Sequence, residues 1–213
     1  MATARIELKT LLLSVLSVFS IEIFAASIAA HVAVNGLVIT GGTRLLQIAA
    51  ISAILIYGDS GLVAIGLSKT TAFRGLQRGL YWSIGFGLVA LGTGLILLIL
   101  GINPLTLIGS APPTQPFKIF LLFLVGGLIG PVAEEFFFRG ILYGYFRRWG
   151  LLPALLLSTL LFVLMHPVKP FALTQTAGGI VFALAYERER NLLVPIIIHV
   201  LGNGAIFTLI LLV

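Results

Sequence analysis

The chain has 213 residues, 59% of them hydrophobic and 9% charged, with a formal net charge of +6 and a mean hydropathy of +1.16. This composition lies outside the range of soluble globular domains, and the absence of cysteine excludes disulfides, thiolate nucleophiles and cysteine metal sites. Basic residues scattered between apolar runs set membrane orientation, so the expected surroundings are a lipid bilayer and no nucleic-acid partner is expected.

In chain order, Arg5 and Lys9 precede LLLSVLSVF in the manner of a secretory signal. The apolar run then continues past Glu22 to Ile39, longer than a signal's apolar region, which predicts a retained first span. With about 20 residues needed to cross a bilayer, apolar segments follow at Leu11 to Val34, Leu45 to Leu67, Leu80 to Leu100, Ile119 to Phe146, Leu151 to His166, Phe171 to Tyr186 and Leu192 to Val213. Breaks are marked by NG and TGG, SKTTAFRGLQRG, NPLTLIGSAPPTQP, RRWGLLP, HPVKP and ERERN. The fifth and sixth segments are short for spans. The reading is an all-α, polytopic transmembrane helical bundle of about seven spans, forming a single membrane domain over residues 1–213. Within it, residues 1–116 supply three spans and residues 117–213 supply the part rich in chemistry.

Orientation follows from the alternate loops. Arg5, Lys9, Lys69, Arg74, Arg78, Arg147, Arg148, Arg188 and Arg190 fall on one side, and Arg44, Lys118 and Lys169 on the other. The bias places the N-terminus inside and the C-terminus outside.

The stretch VAEEFFFRG, Val132 to Gly140, sets two carboxylates and a guanidinium among phenylalanines. A charge at mid-bilayer costs roughly 2.5 to 3.5 kcal/mol on insertion scales, so it is expected to face a bundle interior or wet cavity and to have a partner. Arg139 lies one helical turn after Glu135, on the same face and in the favourable acid-before-base order. Glu134 is rotated about 100° away and is left to point elsewhere. The bland account of this group is a buried ion pair that fixes packing.

Two further polar sites lie at comparable depth. At about 1.5 Å per residue from the inner basic loops, Glu134 is roughly 19 Å in, His166 roughly 24 Å, and His199 and Asn203 roughly 13 and 19 Å. His199 and Asn203 share one helical face at i and i+4, whereas His166, before Pro167, also reads as an ordinary hydrogen-bonded residue at a helix end. His31, Glu22 and Asp59 are assigned no chemistry.

EEFFFR resembles the Glu-Glu-x-x-x-Arg motif, FVLMH the Phe-x-x-x-His motif, and HVLGN the His-x-x-x-Asn motif. Their order and placement on successive spans resemble the CAAX protease and bacteriocin-processing family, which includes the Ras-converting CAAX endopeptidases and bacterial abortive-infection relatives. The resemblance covers roughly Phe117 to Val213. It implies an intramembrane endopeptidase that cuts near the C-terminus of a membrane-associated or hydrophobic protein or peptide. It further implies that Glu134 activates water as general base with His166 helping to hold it, that His199 and Asn203 stabilise the oxyanion, and that Glu135 and Arg139 support them. Cofactor use stays open between none and Zn2+, for which Glu134, His166 and His199 would be the ligands. The other function classes are a proton-coupled transporter and a catalytically silent immunity or interaction protein on the same scaffold. A prokaryotic inner membrane is the expected location.

Overall fold

The computed structural model describes residues 6–58, 61–104, 113–166 and 173–212. Arg5, Asp59, Pro167 and Lys169, and with them most of the NPLTLIGSAPPTQP and HPVKP breaks, lie outside the described residues. The rest is helical and without strands, as backbone groups in hydrocarbon require, since only internal hydrogen bonds are available to them.

The first helix, α1, spans Leu8–His31. The second, α2, spans Gly36–Tyr57, so it starts and stops earlier than the sequence suggests. Asn35 sets its start, because its side-chain oxygen accepts the Leu37 N–H at 2.9 Å and caps the helix. The TGG triplet is therefore inside α2 and not a break. Gly41 there faces Val125, whose Cγ2 would lie 3.0 Å from an added Cβ. Arg44, counted above with an outer loop, is likewise within α2. Its guanidinium donates to Glu22 Oε1 at 2.6 Å and to Gln47 Oε1 at 2.7 Å, and Gln47 Nε2 donates to the same Glu22 oxygen at 2.9 Å. A polar triad thus joins α1 to α2 inside the apolar layer.

Two short 3-10 turns, Leu62–Ile65 and Lys69–Thr71, lead into α3, Ala72–Ile99. The fourth element, α4, is a 34-residue rod over Pro116–Trp149. It changes register along its length, with π-helical stretches at Leu122–Ile129 and Phe136–Tyr143 on either side of the α-helical Gly130–Glu135. Gly150, at φ 113°, turns the chain into α5, Leu151–Leu164. Then come α6, Leu173–Glu189, and α7, Leu193–Leu212.

Among the described residues, five stretches are long and apolar enough to cross a membrane, namely α1, α2, Leu62–Ile99, α4 and α7. The protein is an all-α integral membrane bundle in which α5 and α6, at 14 and 17 residues, are the short members. The helix α4 is central, packed by α2, α5, α6 and α7, while α3 packs mainly on α7. The α4 stretch Phe136–Tyr143 is buried at every position.

The charged ERERN stretch, Glu187 to Asn191 at the end of α6 and the turn into α7, is a knot of contacts. Glu187 accepts from Tyr143 Oη, from Arg147 and from Arg190, and Glu189 accepts from the Trp82 indole at 3.3 Å. Asn191 donates to Thr71 O and caps α7 through Leu193 N–H, both at 3.0 Å. Two glycines let the chain approach this closely. Gly66 has φ 78°, and a Cβ there would lie 2.4 Å from the Arg190 carbonyl oxygen. At Gly75 a Cβ would lie 2.6 Å from Asn191 Nδ2. We expect Gly66→Ala to lower stability by at least about 2 kcal/mol, combining left-handed backbone strain with a backbone clash. Gly85→Ala, with nothing within 4 Å of its Cβ, is expected to cause no loss; thermal unfolding in detergent compares the two.

Candidate active site

The α-helical turn Gly130–Glu135 projects its two carboxylates in different directions. Glu135 is completely buried; its Oε1 accepts from Arg139 Nη1 at 2.9 Å and from His199 Nδ1 at 2.8 Å. Arg139, equally buried, also donates from Nη2 to the Gly179 carbonyl of α6 at 3.1 Å. Its guanidinium carbon sits 4.6 Å from the Phe162 ring centroid and 5.1 Å from that of Phe182, where a cation is attracted by the ring faces. The close packing of α5 on α6 at Gly179 depends on its missing side chain, because a Cβ there would meet Thr159 Cγ2 at 2.8 Å.

Glu134 faces the other way. Its Oε2 lies 3.7 Å from His166 Nε2 and 3.7 Å from His199 Nε2. The side chain is 19% exposed, against 25% for His166 and 7% for His199, so the cluster opens on the His166 side. Both separations are too long for a direct hydrogen bond, and they leave that carboxylate oxygen uncommitted between two imidazoles.

Each imidazole is fixed from behind. His166 Nδ1 is 2.7 Å from the Phe162 carbonyl, which can only accept, so Nδ1 carries the hydrogen. His199 Nδ1 meets a Glu135 oxygen that already accepts from Arg139, and it donates for the same reason. In both rings Nε2 is the atom turned to Glu134. Ring planes are held as well: Phe182 stacks on His199 at 4.6 Å and 24°, and Phe162 lies 4.5 Å from His166. Thus α4, α5 and α7 bring Glu134, His166 and His199 together. Asn203, one turn beyond His199, instead directs Nδ2 to the Gly126 carbonyl of α4 at 2.9 Å.

Oriented Nε2 atoms backed by a carbonyl and a carboxylate are the donor chemistry of a histidine zinc site. Spacing is the other half of the test. Among the described residues no group of three or more His, Cys, Asp or Glu side chains is gathered closely enough to hold a metal ion. No step is therefore derived through a metal.

Phe182 is the residue that sequence reasoning missed. It lies in no motif, and α6 carries no strong apolar periodicity that would mark the face on which it sits. The signal that was available is its position in a helix antiparallel to α7 across a tight loop, which places its face opposite that of His199.

Residues 116–205 match the family model described as type II CAAX prenyl endopeptidase Rce1-like. The chain is 36% identical over 97 residues to the "Membrane-embedded CAAX protease MroQ" of Staphylococcus aureus (strain USA300), a match covering 42% of this chain and 38% of that protein. It is 33% identical over 84 residues to the "Putative membrane peptidase YdiL" of Bacillus subtilis (strain 168), covering 39% and 34% respectively. The chain thus matches less than two fifths of the length of either relative. No solved structure matches it. The matched residues 116–205 carry every side chain of the cluster around Glu134 and Glu135.

Proposed function

We propose that this protein is an intramembrane endopeptidase that hydrolyses a peptide bond near the C-terminus of a membrane-associated or hydrophobic protein or peptide. The observation that carries the reading is the convergence of two pre-oriented Nε2 atoms on one oxygen of a partly exposed glutamate, inside an apolar bundle. The family match and the two peptidase relatives support the same class of reaction.

In this reading Glu134 Oε2 takes a proton from water while His166 Nε2 accepts a hydrogen bond from that water and holds it. The water oxygen attacks the scissile carbonyl carbon. The resulting oxyanion is met by His199 Nε2–H and by Asn203, and donors of this kind acting in a dry site are worth about 10²–10³ in turnover each. His199 Nδ1 already donates to Glu135 at 2.8 Å, so in this step both ring nitrogens carry hydrogens. Glu134 then gives its proton to the leaving amine, which closes the proton balance. Glu135 and Arg139 act through His199, and Phe162 and Phe182 hold the ring planes.

Residues 117–213 form the catalytic core in this reading, with the first three helices as its scaffold: α2 packs on α4 and α3 on α7. The N-terminus is inside and the C-terminus outside. The Arg44–Glu22 pair within α2 and α1 removes Arg44 from the outer loops, which strengthens the inner excess of basic residues.

Four outcomes test these statements. Glu134→Gln is expected to reduce cleavage of internally quenched hydrophobic peptides in detergent by about 10²–10⁴ with unchanged thermal unfolding. A chelator is expected to leave wild-type cleavage intact; cleavage lost on chelation and restored by zinc would overturn the metal-free route, and solute uptake abolished by Glu134→Gln without any proteolysis would favour a transporter instead. Phe182→Leu is expected to lower kcat about tenfold, in keeping with roughly 0.5–1.5 kcal/mol for a ring pair plus the lost alignment, and Phe182→Tyr is expected to restore it. Because the chain has no cysteine, single cysteines report sidedness cleanly. Arg188→Cys is expected to react with a membrane-impermeant thiol reagent only in inside-out vesicles, and Val34→Cys only in right-side-out ones.

A further inference from the structure

The carbonyl of Gly126 lacks the helical partner that its register would supply. In an α register its donor would be the N–H of Gly130, which is given to Val125 O. In the π register of Leu122–Ile129 the donor would be residue 131. That residue is Pro131, which has no N–H, and its ring also pushes away the carbonyl one turn earlier. An α-to-π change in front of a proline is the local answer to this crowding. It leaves Gly126 O turned to α7, where Asn203 Nδ2 donates to it at 2.9 Å.

A carboxamide nitrogen carries two hydrogens in one fixed plane. The terminal torsion of asparagine is otherwise broad, so committing one hydrogen to Gly126 decides where the other is presented. Resting on the peptidase reading above, we propose that Pro131 and Gly126 are positioning residues for Asn203. The proline frees the Gly126 carbonyl, the carbonyl holds the carboxamide, and the second Asn203 N–H is thereby aimed at the oxyanion from the face that also carries His199. Pro131 and Gly126 touch neither water nor substrate; they act through Asn203.

The test is a double-mutant cycle on the full chain in detergent, using an internally quenched apolar peptide with a free C-terminal carboxylate as probe. Pro131→Ala returns an N–H that competes for Gly126 O. It is expected to lower kcat about fivefold or more with KM unchanged, while the melting temperature stays level or rises, a combination that a merely structural role would not give. In an Asn203→Ala or Asn203→Asp background the same change is expected to cause no further loss of kcat, since residues sharing one hydrogen-bond network are non-additive. Asn203→Asp keeps the side-chain volume without an N–H to give, and serves if the alanine variant does not fold. Losses that simply multiply, or an unchanged kcat in Pro131→Ala, would overturn the proposal.

A second readout is independent of cleavage. Asn203→Asp is expected to lower the melting temperature by a few degrees when residue 131 is proline, and by much less when it is alanine. If no peptide is cut by the wild type, the peptidase reading is at fault; this thermal coupling still decides the Pro131, Gly126 and Asn203 linkage, and its absence sinks it.

Discussion

Everything at the centre of this bundle hangs on one buried carboxylate oxygen. Glu135 Oε1 accepts from Arg139 and from His199 at a place with no solvent exposure. A buried charge is tolerated only when it is paired and hydrogen-bonded, and breaking such a pair by removing one partner strands the other. The arrangement fixes more than helix packing. It ties α4 to α7 through His199 and α4 to α6 through Arg139 and the Gly179 carbonyl, and it chooses which nitrogen of His199 is turned to Glu134. Adjacent glutamates thereby take different surroundings: Glu135 is committed to Arg139 and His199, and Glu134 keeps Oε2 between two imidazoles without a direct hydrogen bond to either.

The aromatic residues make that pairing tenable in hydrocarbon. Arg139 is flanked by the rings of Phe138, Phe162 and Phe182, and the last two also lie against the histidines. The same rings that solvate the guanidinium therefore align the imidazoles. A packing change that moves one ring shifts both, so the ion pair and the imidazoles are coupled through packing as well as through the His199–Glu135 hydrogen bond.

Much of this was legible in the sequence, and the reasons for the rest are specific. Charges in an apolar chain are conspicuous, so Glu134, Glu135, Arg139, His166, His199 and Asn203 stand out, and helical spacing pairs Glu135 with Arg139 without any tertiary information. The ends of α2 were missed because glycines read as breaks, whereas Gly41 is small in order to meet Val125. Phe182 was missed because one phenylalanine in an evenly apolar helix has no distinguishing context. The Gly126 carbonyl is a main-chain group, and its availability comes from a register change that leaves no periodic trace beyond Pro131. ERERN reads in the sequence as a break between spans, yet Glu187, Glu189 and Asn191 reach three other parts of the chain.

The triad of Glu22, Arg44 and Gln47 bears on how the molecule is made. A glutamate halfway along α1 burdens that helix while it is alone in the bilayer, and Arg44 burdens α2 in the same way. Set antiparallel, the two cancel each other's charge and satisfy each other's hydrogen bonds. During synthesis α1 therefore gains its proper partner only when α2 has emerged, and the hairpin, rather than the single helix, is the natural unit of insertion. Its completed inner face then offers Gly41 to Val125, so the order in which the ribosome delivers the helices is also the order in which they can dock.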